Sequence, residues 1–119
     1  MLLKRVIVDG KRSYGKRLLD DLAASPDLEP FRALVLPLVD YDRERGSGLV
    51  RTLTVYFETG ANASEAADRL FLHRNSLLYR LERIQALTGL DLREPESMLV
   101  LQLGLLALRR GERDEAKHP

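Results

Sequence analysis

Residues 98–108 read MLVLQLGLLAL, and nine of these eleven positions are apolar, with only Gln102 and Gly104 interrupting. The run follows Pro95, which suits a first helical position because its missing N–H would have no intrahelical acceptor there. A helix apolar nearly all round must be buried among other elements or shared with another subunit. The chain therefore has to supply partners for it, and the remaining signals say that those partners are helices.

Residues 16–25, KRLLDDLAAS, place Leu18, Leu19 and Leu22 on one side, and Ser25-Pro26 stops the segment. LEPFRALVLPLVDYD follows, with Pro30 near a helix start; Pro37 is expected to break or kink this helix by removing an N–H and crowding the preceding turn. RERGSG (43–48) reads as a solvated loop. Ser47 is expected to cap the next helix, LVRTLTVYFETG, where Leu49, Leu53, Tyr56 and Phe57 recur at helical spacing and Gly60 follows the end. Asn62 opens a further helix, with Glu65 three residues on as in a capping box. Another is expected over 74–88, closed by Gly89. The exception lies at the front, where MLLKRVIVDGKRS combines a β-branched run with an Asp-Gly turn signal. That reads as a short strand or an arm, or as the remnant of an upstream domain. The expectation is an all-α fold of about six helices. It comprises an arm or remnant over 1–15, a helical domain over 16–111 and a solvated tail over 112–119.

Composition narrows the function. With 119 residues and 45% apolar content the chain can bury a real core. Cysteine is absent, which leaves no disulfide framework and no thiolate metal site. No apolar run approaches the roughly 18 residues of a membrane span, and the N-terminal apolar stretch is short for a signal peptide. A cytoplasmic protein without a membrane partner is expected. Only His73 and His118 are present, no phosphate-binding GxxxxGK[ST] loop or HExxH occurs, and the acidic pairs Asp20-Asp21 and Asp40/Asp42 lack companion ligands. An enzyme is not indicated, nor is a metal or cofactor. Net charge is only +1, but residues 1–17 hold six basic residues against one acidic. Charge alone does not decide for or against nucleic acid.

The constellation that points to chemistry is 62–88. Ala66 and Ala67 permit close helix approach, and Leu77, Leu81 and Ile84 form one stripe on the following helix. With that stripe inward, Ser76, Tyr79 and Arg83 lie on the opposite face and Arg80 on its flank. His73, Arg74 and Asn75 sit at the N-terminal tip. This is the layout of a helix-turn-helix whose second helix enters the major groove. Arg forks onto guanine and Asn pairs with adenine, while Ser, Tyr and Arg reach phosphates, and the helix N-terminus favours an anion. Each residue also has a plainer reading. His73, Asn75 and Ser76 suit a helix start, Arg74 is within reach of an ion pair with Asp68 or Glu82, and Tyr79, Arg80 and Arg83 suit a solvated face.

GANASEAADRLFLHRNSLLYRLERIQALTGLDL closely resembles the C-terminal helix-turn-helix of the PucR family of purine-catabolism and sugar-diacid regulators. LVRTLTVYFETG and LEPFRALVLPLVDYDRERG resemble the segments that precede it in that family. The core pattern of Ala66, Ala67, Leu70, Arg74, Asn75, Ser76, Leu77, Arg80 and Leu81 is shared with Fis-type DNA-binding ends. The resemblance, over roughly 17–110, implies a sequence-specific double-stranded-DNA-binding output domain of a bacterial transcriptional regulator. One module of this size reads few base pairs, so a homodimer or higher oligomer on a symmetric or repeated site is expected. It implies base contact by Arg74 and phosphate contact by Ser76 and Arg80, supported by His73 and Tyr79. Asn75, Arg83 and Asn62 complete the expected DNA-binding set. Two departures stand out. Family members usually carry sensory domains upstream, for which this chain has no room, and Leu78 stands where related sequences often have a basic residue. The competing expectations are a helical oligomerisation module that no longer binds DNA, and a nucleoid-type binder.

Overall fold

The computed structural model describes the backbone of residues 2–117 and the side chains of residues 10–109. Six α-helices follow one another: α1 (Leu2–Ala23), α2 (Glu29–Arg45), α3 (Leu49–Glu58), α4 (Ala63–Leu70), α5 (Arg74–Thr88) and α6 (Pro95–Lys117), with a 3-10 turn at Pro26–Leu28 before α2. No strand occurs among the described residues, and none of their helices is long and apolar enough to cross a membrane.

The expected strand or arm at the front is instead the first half of α1. The Asp9-Gly10 signal does not turn the chain, since Gly10 keeps a negative φ and remains helical. A strand needs a partner to satisfy its backbone, whereas a helix satisfies its own, so glycine's helix penalty of about 1 kcal/mol is the smaller cost. At the other end α6 runs on through the expected tail to Lys117, whose side chains lie outside the described residues. Pro37 does not end α2, which continues to Arg45 and closes on Gly46 in the left-handed region. Residues 43–45 of the expected loop are thus the last turn of α2, and only 46–48 connect it to α3.

α2 packs most extensively on α6, and the main core gathers Val35 and Leu38 of α2, Leu49 and Leu53 of α3, Ala66 and Ala67 of α4, Leu77, Leu81 and Ile84 of α5, and Leu101 of α6. Gly104, one of the two interruptions in the apolar run, marks a close approach of α6 to α2. A Cβ there would stand 2.7 Å from the Phe31 carbonyl oxygen and 2.8 Å from Val35 Cγ1. A smaller cluster of Leu28, Leu106 and Ala107 ties the 3-10 turn to α6, with Ala23 at the end of α1 packed against it. The run is not buried on all sides: Leu99 is well exposed beside an apolar groove of about 490 Å³ between α1, α3 and α6.

Candidate nucleic-acid interface

α4 begins as its sequence requires. Asn62 is the N-cap, and its side-chain oxygen accepts from the Glu65 N–H at 3.0 Å. Only half of a capping box forms, because the Glu65 carboxylate turns to Arg69 at 3.2 Å. Phe71 makes the turn in the left-handed region at φ 55 and projects almost wholly into solvent. His73 then caps α5, its Nδ1 accepting from the Asn75 N–H at 3.2 Å. The cap thus falls to His73 and not to Asn75 or Ser76, whose exposed side chains make no hydrogen bond to the described residues.

The two faces of α5 separate as the spacing implies. Leu77 and Ile84 are fully buried and Leu81 nearly so. On the other side Arg74, Asn75, Ser76 and Tyr79 are exposed, and Arg80 and Arg83 are half-buried. Arg74 forms no ion pair with Asp68, Glu82 or any other described residue. Its place in the first turn opposes the helix dipole, an arrangement that helix stability does not favour. Leu78 is partly exposed at 39% and is not absorbed into the core.

A cleft of about 450 Å³ lies beside this face, lined by Asn75, Ser76, Tyr79, Arg80 and Arg83 of α5 together with Tyr41, Ser47 and Leu49. Five of the eight anticipated residues therefore meet in one place. His73 and Arg74 sit at the tip of the same helix, and Asn62 is committed to capping α4. Arg80 donates from Nη1 to the buried Thr52 Oγ1 at 3.1 Å, which fixes its guanidinium while the rest of its donor fork remains for a ligand. Gly48 permits this arrangement, for it sits at φ 68 and a Cβ there would come within 3.3 Å of Arg80 Nη1. Arg83 donates from Nη2 to the Tyr79 hydroxyl at 2.9 Å, and that bond, with the facing Tyr79 and Tyr41 rings, holds the guanidinium still more firmly in its charged form.

Several residues of the cleft come from outside the helix-turn-helix. The expected Ser47 cap of α3 is replaced by a carboxylate from the helix before. Asp42 accepts from the N–H groups of Leu49 at 2.6 Å and Val50 at 2.9 Å, while Ser47 Oγ donates to the same carboxylate at 2.6 Å. A charged acceptor matches two α3 donors better than a serine hydroxyl, and the Gly46–Gly48 turn lets it reach them. Tyr41, one residue earlier, carries the Arg45 guanidinium 5.1 Å and the Arg83 guanidinium 5.8 Å from its ring centroid. The Tyr-Asp pair and the i, i+4 spacing of Tyr41 and Arg45 are visible in the sequence, but their pairing with α5 depends on the tertiary fold.

Comparison with known proteins agrees with this geometry. Residues 49–107 match the PucR C-terminal helix-turn-helix domain, which begins at the start of α3 and ends within α6. The chain is 39% identical over 79 residues to a purine catabolism regulatory protein of Bacillus subtilis, covering 66% of this chain and 15% of that protein. It is 40% identical over 73 residues to the carbohydrate diacid regulator of Escherichia coli, covering 60% and 19%. A proline-responsive transcriptional activator of Bacillus subtilis is 32% identical over 69 residues, covering 58% and 17%. The chain thus matches less than a quarter of the length of each of these relatives. No solved structure matches it significantly. The chain carries, over residues 49–107, the C-terminal helix-turn-helix domain of the PucR family of transcriptional regulators.

Proposed function

We propose that this chain binds double-stranded DNA in a sequence-specific manner, as the output domain of a bacterial PucR-like transcriptional regulator in the cytoplasm. α5 enters the major groove with its N-terminal end. Arg74 and Asn75 reach base edges, Ser76, Tyr79, Arg80 and Arg83 reach phosphates, and His73 supports them from the tip. α4 braces α5, and the helix start at Asn62 adds backbone N–H donors for a phosphate.

The observation that carries this reading is the exposed first turn of α5, whose polar side chains have no partner among the described residues. The side chains of Arg74, Asn75 and Ser76 project into solvent with no hydrogen bond or ion pair to the described residues, while the opposite stripe is buried. One such unit reads few base pairs, so two copies on half-sites about 34 Å apart are expected to bind together. The exposed Leu99 and the apolar groove beside α6 support a homodimer.

The test is fluorescence anisotropy of a labelled pool of genomic duplex fragments, titrated with wild type and Arg74→Ala over a salt series. Salt-sensitive binding with a log–log slope of several units is expected, weakened by about 1–3 kcal/mol in the variant. Failure of the wild type to bind at low salt sinks the reading. Equal binding by both proteins moves the site away from α5.

A further inference from the structure

Arg45, Arg80 and Arg83, at or beside the cleft, form no ion pair with the described residues. The ion pairs among the described residues are Arg32 with Glu29, Arg69 with Glu65, and Arg93 with Asp91. None involves Arg45, Arg80 or Arg83. The neighbouring carboxylate, Asp42, is already occupied by two backbone N–H groups of α3 and the Ser47 hydroxyl. In place of carboxylates, aromatic faces hold two of these guanidiniums. Arg45 lies over Tyr41, Arg83 lies over both Tyr41 and Tyr79, and the Tyr79 hydroxyl accepts from Arg83.

The C-terminal end of α2 favours a cation in its last turn. That accounts for a basic residue at position 45, but not for its sharing one tyrosine ring with a cation from α5. Two like charges held this way repel one another unless an anion lies between them or beside them. Rings position a guanidinium while leaving its N–H edge free, which suits a phosphate oxygen. Ser76 and the uncommitted part of the Arg80 fork open into the same cleft.

We propose that the end of α2 is a second DNA-backbone clamp outside the helix-turn-helix, in which Arg45, set by Tyr41, grips the sugar-phosphate strand alongside Arg83. This inference rests on the DNA-binding reading above and extends its footprint to an element that precedes the family's matched region. The clamp reads charge and not sequence, because phosphate contacts set register without carrying base information.

The experiment compares wild type, Arg45→Gln, Arg45→Lys and Arg74→Ala on one preferred duplex and one scrambled duplex over a salt series. Circular dichroism and thermal melting check the fold of each. Arg45→Gln is expected to fold normally, to lose affinity equally on both duplexes, and to flatten the log–log salt slope by about one unit, the signature of one phosphate contact removed. Arg45→Lys keeps the charge and is expected to restore most of the slope. If wild type binds, Arg74→Ala weakens it, and Arg45→Gln keeps the wild-type slope and affinity, the clamp is overturned while the DNA-binding reading stands. A loss confined to the preferred duplex also overturns it, by making Arg45 a base reader. Absence of wild-type binding overturns both.

Discussion

Arg80 donates to the Thr52 hydroxyl oxygen across 3.1 Å, and that hydroxyl donates in turn to the Gly48 carbonyl oxygen at 2.8 Å. Thr52 is fully buried, so this relay joins the middle of α5 to the first turn of α3 through the edge of the core. Thr52→Val keeps the shape and deletes both bonds. The variant is expected to lose about 1 kcal/mol or more in urea denaturation, the usual worth of such bonds when one donor is charged and only half-buried. DNA affinity is expected to fall severalfold, because the freed Arg80 fork has to be ordered on binding. Unchanged stability and affinity would mean that the relay is incidental.

Asp42 caps α3 from seven residues away in sequence, with both carboxylate oxygens engaged. Asp42→Ala leaves two helix-start donors and the Ser47 hydroxyl without their acceptor, and a loss of about 1–2 kcal/mol is expected. Asp42→Asn, which retains one oxygen acceptor, is expected to fall between the two. The denaturation midpoint should drop at constant slope, since capping changes stability and not the surface exposed on unfolding.

This cap also shows which parts of the structure were legible beforehand. The α4–α5 unit is built from local rules. Asn62 caps at close range, Leu77, Leu81 and Ile84 repeat with the helix, and Gly89 ends α5 with φ 74, so its limits follow from spacing alone. The Asp42 cap, the Arg80–Thr52 bond and the Tyr41 platform join residues on different helices. No periodicity reveals such pairs. Ser47 was the obvious local cap, yet its hydroxyl serves Asp42. The Asp9-Gly10 signal does not turn the chain and Pro37 does not break α2 for a related reason: each disfavours helix by a few kcal/mol at most, and the surrounding turns outweigh it.

His73 occupies an N-cap through a ring nitrogen, a weaker acceptor geometry than a carboxylate would offer at the same place. His73→Asp is therefore expected to raise stability by several tenths of a kcal/mol, through a better cap and a negative charge at the positive end of α5. The same charge faces the proposed phosphates, so DNA affinity is expected to fall, most steeply at low salt. His73→Ser, a neutral cap, separates the two effects by keeping the capping part of the stability gain with a smaller loss of binding. Equal DNA binding by His73→Asp and wild type would place this helix tip away from the backbone.

Gly104 lies where α6 crosses α2, and an added Cβ meets the Phe31 carbonyl oxygen at 2.7 Å and Val35 Cγ1 at 2.8 Å. Alanine would gain up to about 1 kcal/mol of helix propensity at this position. Against that stands the overlap, which falls on a carbonyl oxygen of the α2 backbone and not on a side chain free to rotate away. Overpacking of this kind typically costs about 1–3 kcal/mol, and here it requires the two helices to separate. Gly104→Ala is therefore expected to be net destabilising, lowering the melting temperature by several degrees, and Gly104→Val more so. The displacement has a functional consequence, because α2 carries Tyr41 to the cleft and Arg45 against the Tyr41 ring. DNA binding by Gly104→Ala is expected to weaken even at temperatures where the variant is fully folded. A melting temperature equal to or above the wild-type value would show that the α2–α6 crossing yields easily, and that close packing at Gly104 does not set the position of α2 beside α5.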